Sequence, residues 1–307
     1  MATCEAQLYG IIASHIEPTT TQKAGACRSQ NALREALYTG NLEARLGGTY
    51  LTGSYARDTA VQPLDDVDIV VLIDPSHWVT PFLCSYPDPE AVLATFARAI
   101  RLRYPESSVC TQRRSVGLKL YHLDIDVVPA IDVGNDFIKI PDRHAGKWIT
   151  SAPNRHTTIA SELNARRNRK FKPLVKLIKA WNQRLPATAR LKSFTVETIA
   201  TRLFHQESFN TLEQGLMKFF DFLAHHTDTE TIFDWKQDYG MSFDEIWGIE
   251  IPDTAGTGNN VAANIDWTKA QKFLMHGIHT RNKLERADES AYEETAFRHF
   301  CKALKIV

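Results

Sequence analysis

The stretch Gly53 to Ile73, GSYARDTAVQPLDDVDIVVLI, decides how the rest of the chain is read. It opens on a Gly-Ser turn and closes on Val67 to Ile73, a run hydrophobic on both faces. Such a run predicts a central, buried strand. Asp66 and Asp68 stand two apart at its entrance. Period-two geometry puts both carboxylates on one face. Neighbouring carboxylates repel, and an apolar sheet tolerates them only with a cation between them. Mg²⁺, a hard ion held by carboxylates and substrate phosphates, meets that demand. Taken alone, the pair also reads as a solvated strand end, because Asp-x-Asp recurs by chance.

Two further features sharpen the choice. Gly53 lies thirteen residues before Asp66, with Ser54 next to it. A Gly-Ser turn at a helix start offers backbone N–H groups and a hydroxyl to phosphate oxygens. Asp126 sits in a second β-like run, LDIDVVPA (Leu123 to Ala130), flanked by Ile125 and Val127. A buried strand does not carry an acid there without a partner. Three carboxylates on neighbouring strands are what two-metal phosphoryl transfer requires. Asp124 shares a strand face with Asp126, and Asp65 competes with Asp66. A one-residue slip in register reverses the faces in both cases.

Composition narrows the class. The chain has 307 residues, with 36 basic residues balancing 36 acidic ones, so no global positive field draws in long nucleic acid. No apolar run approaches the roughly 20 residues that span a bilayer, so no membrane partner is expected. The N-terminal stretch lacks a basic n-region and a cleavage signature, which argues against a signal peptide. Cys4, Cys27, Cys84, Cys110 and Cys301 are odd in number, scattered and without a C-x-x-C pair. That pattern fits a reducing cytoplasm better than a disulfide framework or a structural zinc site.

Working outward, periodicity predicts helices over Ala6 to Ile16, Ser29 to Leu46 and Pro89 to Tyr104, the first two separated by Glu17-Pro18 and a Thr run. Ser115 to Tyr121 and Leu123 to Pro129 read as one bent strand or a pair, and Phe137 to Ile140 as another strand. Thr150 to Arg155 reads as a connection, after which the pattern becomes almost wholly helical. Expected helices there run over His156 to Arg169, from Phe171, Ser193 to Phe204, Thr211 to His226, Trp267 to Lys283 and Glu289 to Leu304. Ile251 to Ala263 reads as a Gly- and Asn-rich loop, and Trp235 to Trp247 is ambiguous. The expected fold class is α+β: a mixed sheet with flanking helices over residues 1–150, then a helical domain over 151–307.

Gly53-Ser54, Asp66-Val67-Asp68 and Ile125-Asp126-Val127 together resemble the signature of the polymerase-β-like nucleotidyltransferase superfamily. The nearer resemblance is to the branch holding oligoadenylate synthase, cyclic GMP–AMP synthase and the bacterial CD-NTases. Asp126-Val127-Val128-Pro129-Ala130 is similar to its Asp-Val-x-Pro-Ala segment. Leu177-Ile178-Lys179-Ala180-Trp181-Asn182 resembles its helix with a phosphate-contacting lysine. Lys192-Ser193-Phe194 resembles its Lys/Ser-Ser-Tyr segment, and Asp253 to Asn260 its Asp-Pro…Gly-Asn-Asn loop. Phe194 replaces a tyrosine, which keeps stacking and loses a hydroxyl, and no Pro follows Asp253. No insertion carries zinc ligands like those of the vertebrate cyclic GMP–AMP synthase.

The resemblance implies two divalent ions, Mg²⁺ or Mn²⁺, on Asp66, Asp68 and Asp126, with Asp126 helping to deprotonate the acceptor hydroxyl. It implies nucleotide contacts at Gly53, Ser54, Lys179, Ser193 and Phe194, in a cleft between the two domains. Substrates would be NTPs, ATP among them. The product would be a cyclic di- or trinucleotide second messenger, with pyrophosphate released, acting on a separate effector protein in antiphage signalling. Rival expectations are a linear oligonucleotide maker, transfer of NMP to an RNA or protein acceptor, and, in a different class, an inactive nucleotide-sensing module. Arg166, Arg167, Arg169, Lys170 and Lys172 form a local basic cluster, read chiefly as a solvated helix end and otherwise as lying near the donor triphosphate or contacting a nucleic-acid activator. His276 and His279, three apart, and His225-His226 read as surface or core histidines. Trp181, Trp235, Trp247, Trp267 and Cys301 read as helical-domain packing.

Overall fold

The apolar run beginning at Val67 forms the second strand of a seven-stranded mixed sheet in the computed structural model. The structure describes residues 4–39, 42–78, 86–225, 237–246, 248–290 and 292–306. Cys84, His226, Trp235 and Trp247 lie outside the described residues. Strands β1 (Leu46–Thr52), β2 (Asp66–Ile73), β3 (Ser108–Thr111), β4 (Val116–Lys119) and β5 (Asp124–Gly134) run in the order β1-β2-β5-β4-β3. β6 (Phe137–Asp142) pairs with the far half of β5, and β7 (Lys147–Ser151) with β6. β2 and β5 are parallel, and the remaining neighbours are antiparallel.

Alternation divides the sheet into two faces. Val67, Ile69, Val71 and Ile73 point toward a core shared with Ile125 and Val127. Helices α2 (Thr20–Tyr38) and α4 (Pro89–Arg103) cover that face with Leu33, Leu37, Val92, Phe96 and Ile100. Each such side chain, fully buried, contributes about 1.5–3 kcal/mol. Val70, Ala130 and Ile138 form a smaller cluster on the opposite face. The even-numbered positions of β2 belong to that second face, so the helices do not cover Asp66 and Asp68.

Several boundaries differ from expectation for identifiable reasons. The Thr run starts α2 instead of interrupting it. Thr19 Oγ1 accepts from the Gln22 amide at 3.2 Å, and Gln22 Oε1 accepts from the Thr19 amide at 2.9 Å. That reciprocal capping box begins the helix at Thr20, nine residues before the expected Ser29. The helix stops at Tyr38, and Leu46 already belongs to β1. The runs on either side of His122 are an antiparallel pair. β3 and β7 were not anticipated, and the expected connection at Thr150 is occupied by the end of β7.

The chain forms two compact units, one of residues 18–157 and one of residues 1–17 with 158–307. The first seventeen residues, expected with the sheet, group with the helices instead. Cys4 donates its amide to Glu213 Oε1 at 2.7 Å, Lys170 pairs with Glu5 at 2.8 Å, and Lys176 pairs with Glu17 at 2.7 Å.

The helical unit contains α1 (Glu5–Ile11), α5 (Pro153–Arg166, which begins in the other unit), α6 (Phe171–Gln183), α7 (Ser193–Gln206), α8 (Leu212–His225), α9 (Trp267–Asp288) and α10 (Glu293–Leu304). Trp181 is fully buried among Phe220 and Phe273, and its indole N–H donates to Thr280 Oγ1 at 2.9 Å. Cys301 is buried as expected, whereas Trp267 is only half-buried because it is the first residue of α9. Among the described residues no helix is long and apolar enough to cross a membrane.

Candidate active site

Four carboxylates occupy one face at the ends of β2 and β5. The parallel register sets Asp66 beside Asp124 and Asp68 beside Asp126. Side chains at paired positions of neighbouring strands share a face, so the four form a two-by-two array. The row through Asp68 and Asp126 runs across five strands: Thr52, Asp68, Asp126, Gly117 and Cys110 are successive partners. Asp65 precedes β2, and its carbonyl accepts from the Asp124 amide at 2.7 Å.

The electrostatics follow from crowding. Burial, then Asp66, then Asp126 push Asp68 up to about 6, and only Arg57 opposes them. Asp126 is raised by burial, by Asp66 and by Asp124, while hydrogen bonds from Gln112 and, more weakly, Ser115 work against the rise. The array therefore concentrates negative charge, which Arg57 offsets only in part at Asp68. Gly53 sharpens the geometry. Its φ is +72°, and a Cβ built on it would overlap Asp68 Oδ2. Only glycine combines that backbone conformation with that space. Gly53 opens α3 (Gly53–Ala56), a single helical turn. Arg57, buried, follows that turn directly.

This charge pattern fits divalent cations. Among the described residues no three His, Cys, Asp or Glu side chains are grouped so that they would hold an ion by themselves. A Mg²⁺ site made of one or two carboxylates plus substrate phosphates needs no such closed set.

Gln112 was not anticipated. Its Nε2 donates to Asp126 Oδ1 at 2.8 Å, and Ser115 Oγ donates to its Oε1 at 3.1 Å. Arg57, Ser115 and Gly117 were missed as well. Only Gly117 carried a signal, because a glycine inside a β-like run marks close approach.

Of the expected nucleotide contacts, Gly53 and Ser54 lie in the sheet unit, and Lys179, Ser193 and Phe194 lie in the helical unit. Ser193 and Phe194 open α7, both half-buried. Lys179 is only 2% exposed, and its Nζ stands 3.4 Å from Glu197 Oε2. Glu197 lies one turn beyond Ser193 on the same face of α7. The loop after Ile251 packs on this turn, with Thr195 Oγ1 donating to the Val261 carbonyl at 3.3 Å. Within that loop Asp253 accepts from Thr257 Oγ1 at 2.6 Å, and Asn260 Oδ1 accepts the amides of Ile251 and Ala262. Within the basic cluster, Arg167 donates to the Phe204 carbonyl and Lys170 pairs with Glu5.

Residues 3–164 match the Second Messenger Oligonucleotide or Dinucleotide Synthetase domain family. Over 291 residues the chain is 33% identical to a cyclic AMP-AMP-AMP synthase of Acinetobacter sp., covering 90% of this chain and 78% of that protein. It is 26% identical over 231 residues to a cyclic AMP-AMP-AMP synthase of Escherichia coli strain MS 115-1, covering 69% and 67%. The fold matches that of CdnC from E. coli MS115-1 solved with ATP, at a TM-score of 0.73, 20% identity and 98% coverage of both chains. It also matches the CD-NTase CdnG of Bradyrhizobium diazoefficiens solved with GTP, at a TM-score of 0.70, 16% identity and 97% and 96% coverage.

Proposed function

The chain belongs to the Second Messenger Oligonucleotide or Dinucleotide Synthetase family and is a nucleotidyltransferase of the cyclic-oligonucleotide-synthase kind; from that premise we propose that it condenses ATP into a cyclic trinucleotide, with release of pyrophosphate. The observation that carries this reading is the carboxylate array on β2 and β5, with Asp68 raised to about 6 by burial and by its acidic neighbours. The 33% identity to a cyclic AMP-AMP-AMP synthase over 90% of the chain supports ATP as substrate and three as the ring size.

Asp66, Asp68 and Asp126 would hold Mg²⁺ or Mn²⁺. Bound there with the triphosphate, such ions stabilise the charge on the leaving pyrophosphate and make the acceptor hydroxyl more acidic. Asp126 receives the hydroxyl proton. The hydroxyl oxygen then bonds to the α-phosphorus as the bond to pyrophosphate breaks, one pyrophosphate for each linkage made. Gly53 and Ser54 offer the triphosphate a turn free of side-chain bulk. Phe194 supplies a face for a nucleobase, and Ser193 a hydroxyl for a phosphate. Lys179 contributes a point charge held in place by Glu197.

By family resemblance the product serves a separate effector protein in antiphage signalling. The enzymatic reading is tested by incubating the chain with α-labelled ATP and Mg²⁺, then with phosphatase. Label retained in a phosphatase-resistant species is expected. A product fully sensitive to phosphatase would exclude a ring.

A further inference from the structure

Asp126 is held by a side chain that reaches it from two strands away. Gln112 follows β3, whereas Asp126 lies on β5, and β4 runs between them. The amide reaches across because the intervening position is Gly117. In the register Cys110, Gly117 and Asp126 are successive partners. A Cβ on Gly117 would stand 2.7 Å from Gln112 Nε2, 3.2 Å from Asp126 Oδ1 and 3.2 Å from Cys110 Sγ. Any other residue would push the amide off the acid.

Chemistry fixes the orientation of that amide. An ionised carboxylate only accepts hydrogen bonds, so the NH₂ end must face Asp126. The carbonyl end then accepts from Ser115 Oγ at 3.1 Å. The turn carrying both residues is itself pinned. The Gln112 amide donates to the Ser115 carbonyl at 2.9 Å, and the Arg143 amide donates to the Arg113 carbonyl at 3.1 Å. Asp142, buried at the end of β6, accepts from Arg113 Nε at 2.8 Å and from Arg114 Nη2 at 3.3 Å. Ser115 is buried too. A polar side chain whose two ends are both engaged, on a turn tied down at both arginines, costs conformational entropy to hold. Fixing the carboxylate is the return.

We propose that Gln112 is a positioning residue that holds the Asp126 carboxylate, through Oδ1, in a single orientation for cation and substrate, and that Gly117 keeps its path open. The proposal rests on the nucleotidyltransferase reading of the acid array. Outer partners of metal-binding carboxylates matter about as much as this role requires: their loss costs about 10–100-fold in metal affinity or activity.

The test uses the full chain with Gln112→Met, Gln112→Ala, Gly117→Ala and the Gln112→Ala/Gly117→Ala double variant. Mn²⁺ binding is followed by electron paramagnetic resonance in the presence of a non-hydrolysable ATP analogue. The half-saturating Mg²⁺ concentration, kcat and KM for ATP are measured in parallel, and thermal melting monitors the fold. Gln112→Met keeps length and volume and removes the donor. It is expected to weaken Mn²⁺ binding and raise the Mg²⁺ requirement about tenfold, with KM for ATP at saturating metal and the melting temperature both near wild type. Gly117→Ala is expected to do the same. In the double variant the new methyl finds the space already vacated, so it is expected to be no worse than Gln112→Ala. Mn²⁺ binding within twofold of wild type in Gln112→Met overturns the proposal, as do defects that multiply in the double variant. A wild-type chain that makes no nucleotide product, while the Mn²⁺ effect of Gln112→Met persists, sinks the synthase reading and leaves the positioning role intact.

Discussion

Asp68 and Asp126 stand side by side on parallel strands, with Val67 and Ile69 on one strand and Ile125 and Val127 on the other fully buried on the opposite face. Burial, Asp66 and Asp126 raise Asp68 from 3.8 to about 6. The sign of the consequence is fixed. A carboxyl group that is harder to ionise in the folded state favours folding while it is protonated. Its stabilisation is complete below about 4 and is lost as pH rises through about 6. The metal-free protein should therefore lose stability between pH 4 and pH 6 from this group. Asp68→Asn should remove that dependence, raise metal-free stability at pH 7.5 by on the order of 2 kcal/mol, and abolish activity. Chemical denaturation of wild type and variant at pH 4 and at pH 7.5 without metal checks it. A variant less stable than wild type at pH 7.5 would contradict the account of the charge.

The same crowding predicts a metal effect on the whole protein. Divalent cations that bind the folded array and not the unfolded chain stabilise by mass action, by about 2.7 kcal/mol at a hundredfold excess over Kd. Mg²⁺ or Mn²⁺ with an ATP analogue should raise the melting temperature of wild type. It should raise that of Asp66→Ala/Asp68→Ala much less. Equal shifts in both would place the cations elsewhere.

Asp124 and Asp126 share a face, but their surroundings differ. Asp124 pairs in register with Asp66 and with the exposed Lys119, near the strand entrance. Asp126 pairs with Asp68 and is held by Gln112. Asp126→Asn should lower kcat by more than about 100-fold, in the range expected when a general base is removed, and Asp124→Asn by less than about tenfold. Steady-state kinetics on the two variants decide it, and the reverse ranking would shift the catalytic role to Asp124.

Lys179 and Glu197 form a pair that is 2% and 4% exposed. Removing one partner of such a pair leaves a buried charge and costs about 3–5 kcal/mol, whereas replacing both is often neutral. Lys179→Met should therefore be strongly destabilised, and Lys179→Met/Glu197→Leu should recover most of the loss. If the lysine also serves the triphosphate, the recovered double variant should still show a raised KM for ATP. A double variant with normal stability and normal KM would confine Lys179 to a structural role.

Asp142 is held down to about 2 by its hydrogen bonds with Arg113 and Arg114 and with the Ala145 amide. A depressed carboxyl stabilises above its unfolded pKa, and that contribution disappears as pH falls from about 4 to about 2. Asp142→Asn should cost on the order of 1 kcal/mol, because solvent screens the half-exposed guanidinium groups. It should also lower kcat severalfold by loosening the turn that presents Gln112. Unchanged kcat in a folded variant would uncouple that turn from the site.

The sequence displayed some of these features openly and hid others. β2 was legible because a run apolar on both faces has few other homes, and two acids two apart on it must share a face. Asp126 was legible because Ile125 and Val127 leave it no apolar reason to exist. β3 was not, since Ser108–Thr111 is too short to establish a period. Gln112 was hidden for the same reason: its relation to Asp126 depends on the pairing of three strands. The start of α2 was misjudged because the capping box at Thr19 looked like a loop of threonines. The attachment of the first seventeen residues to the helices rests on pairs such as Lys170–Glu5, whose partners lie 165 residues apart. No local pattern reports contacts at that separation.

The most direct measurement is mass spectrometry of the product made from ATP and Mg²⁺ by wild type and by Asp66→Ala/Asp68→Ala. The account predicts a cyclic trinucleotide of AMP from the wild-type chain and none from the variant. A linear product, or the same product from both proteins, would contradict it.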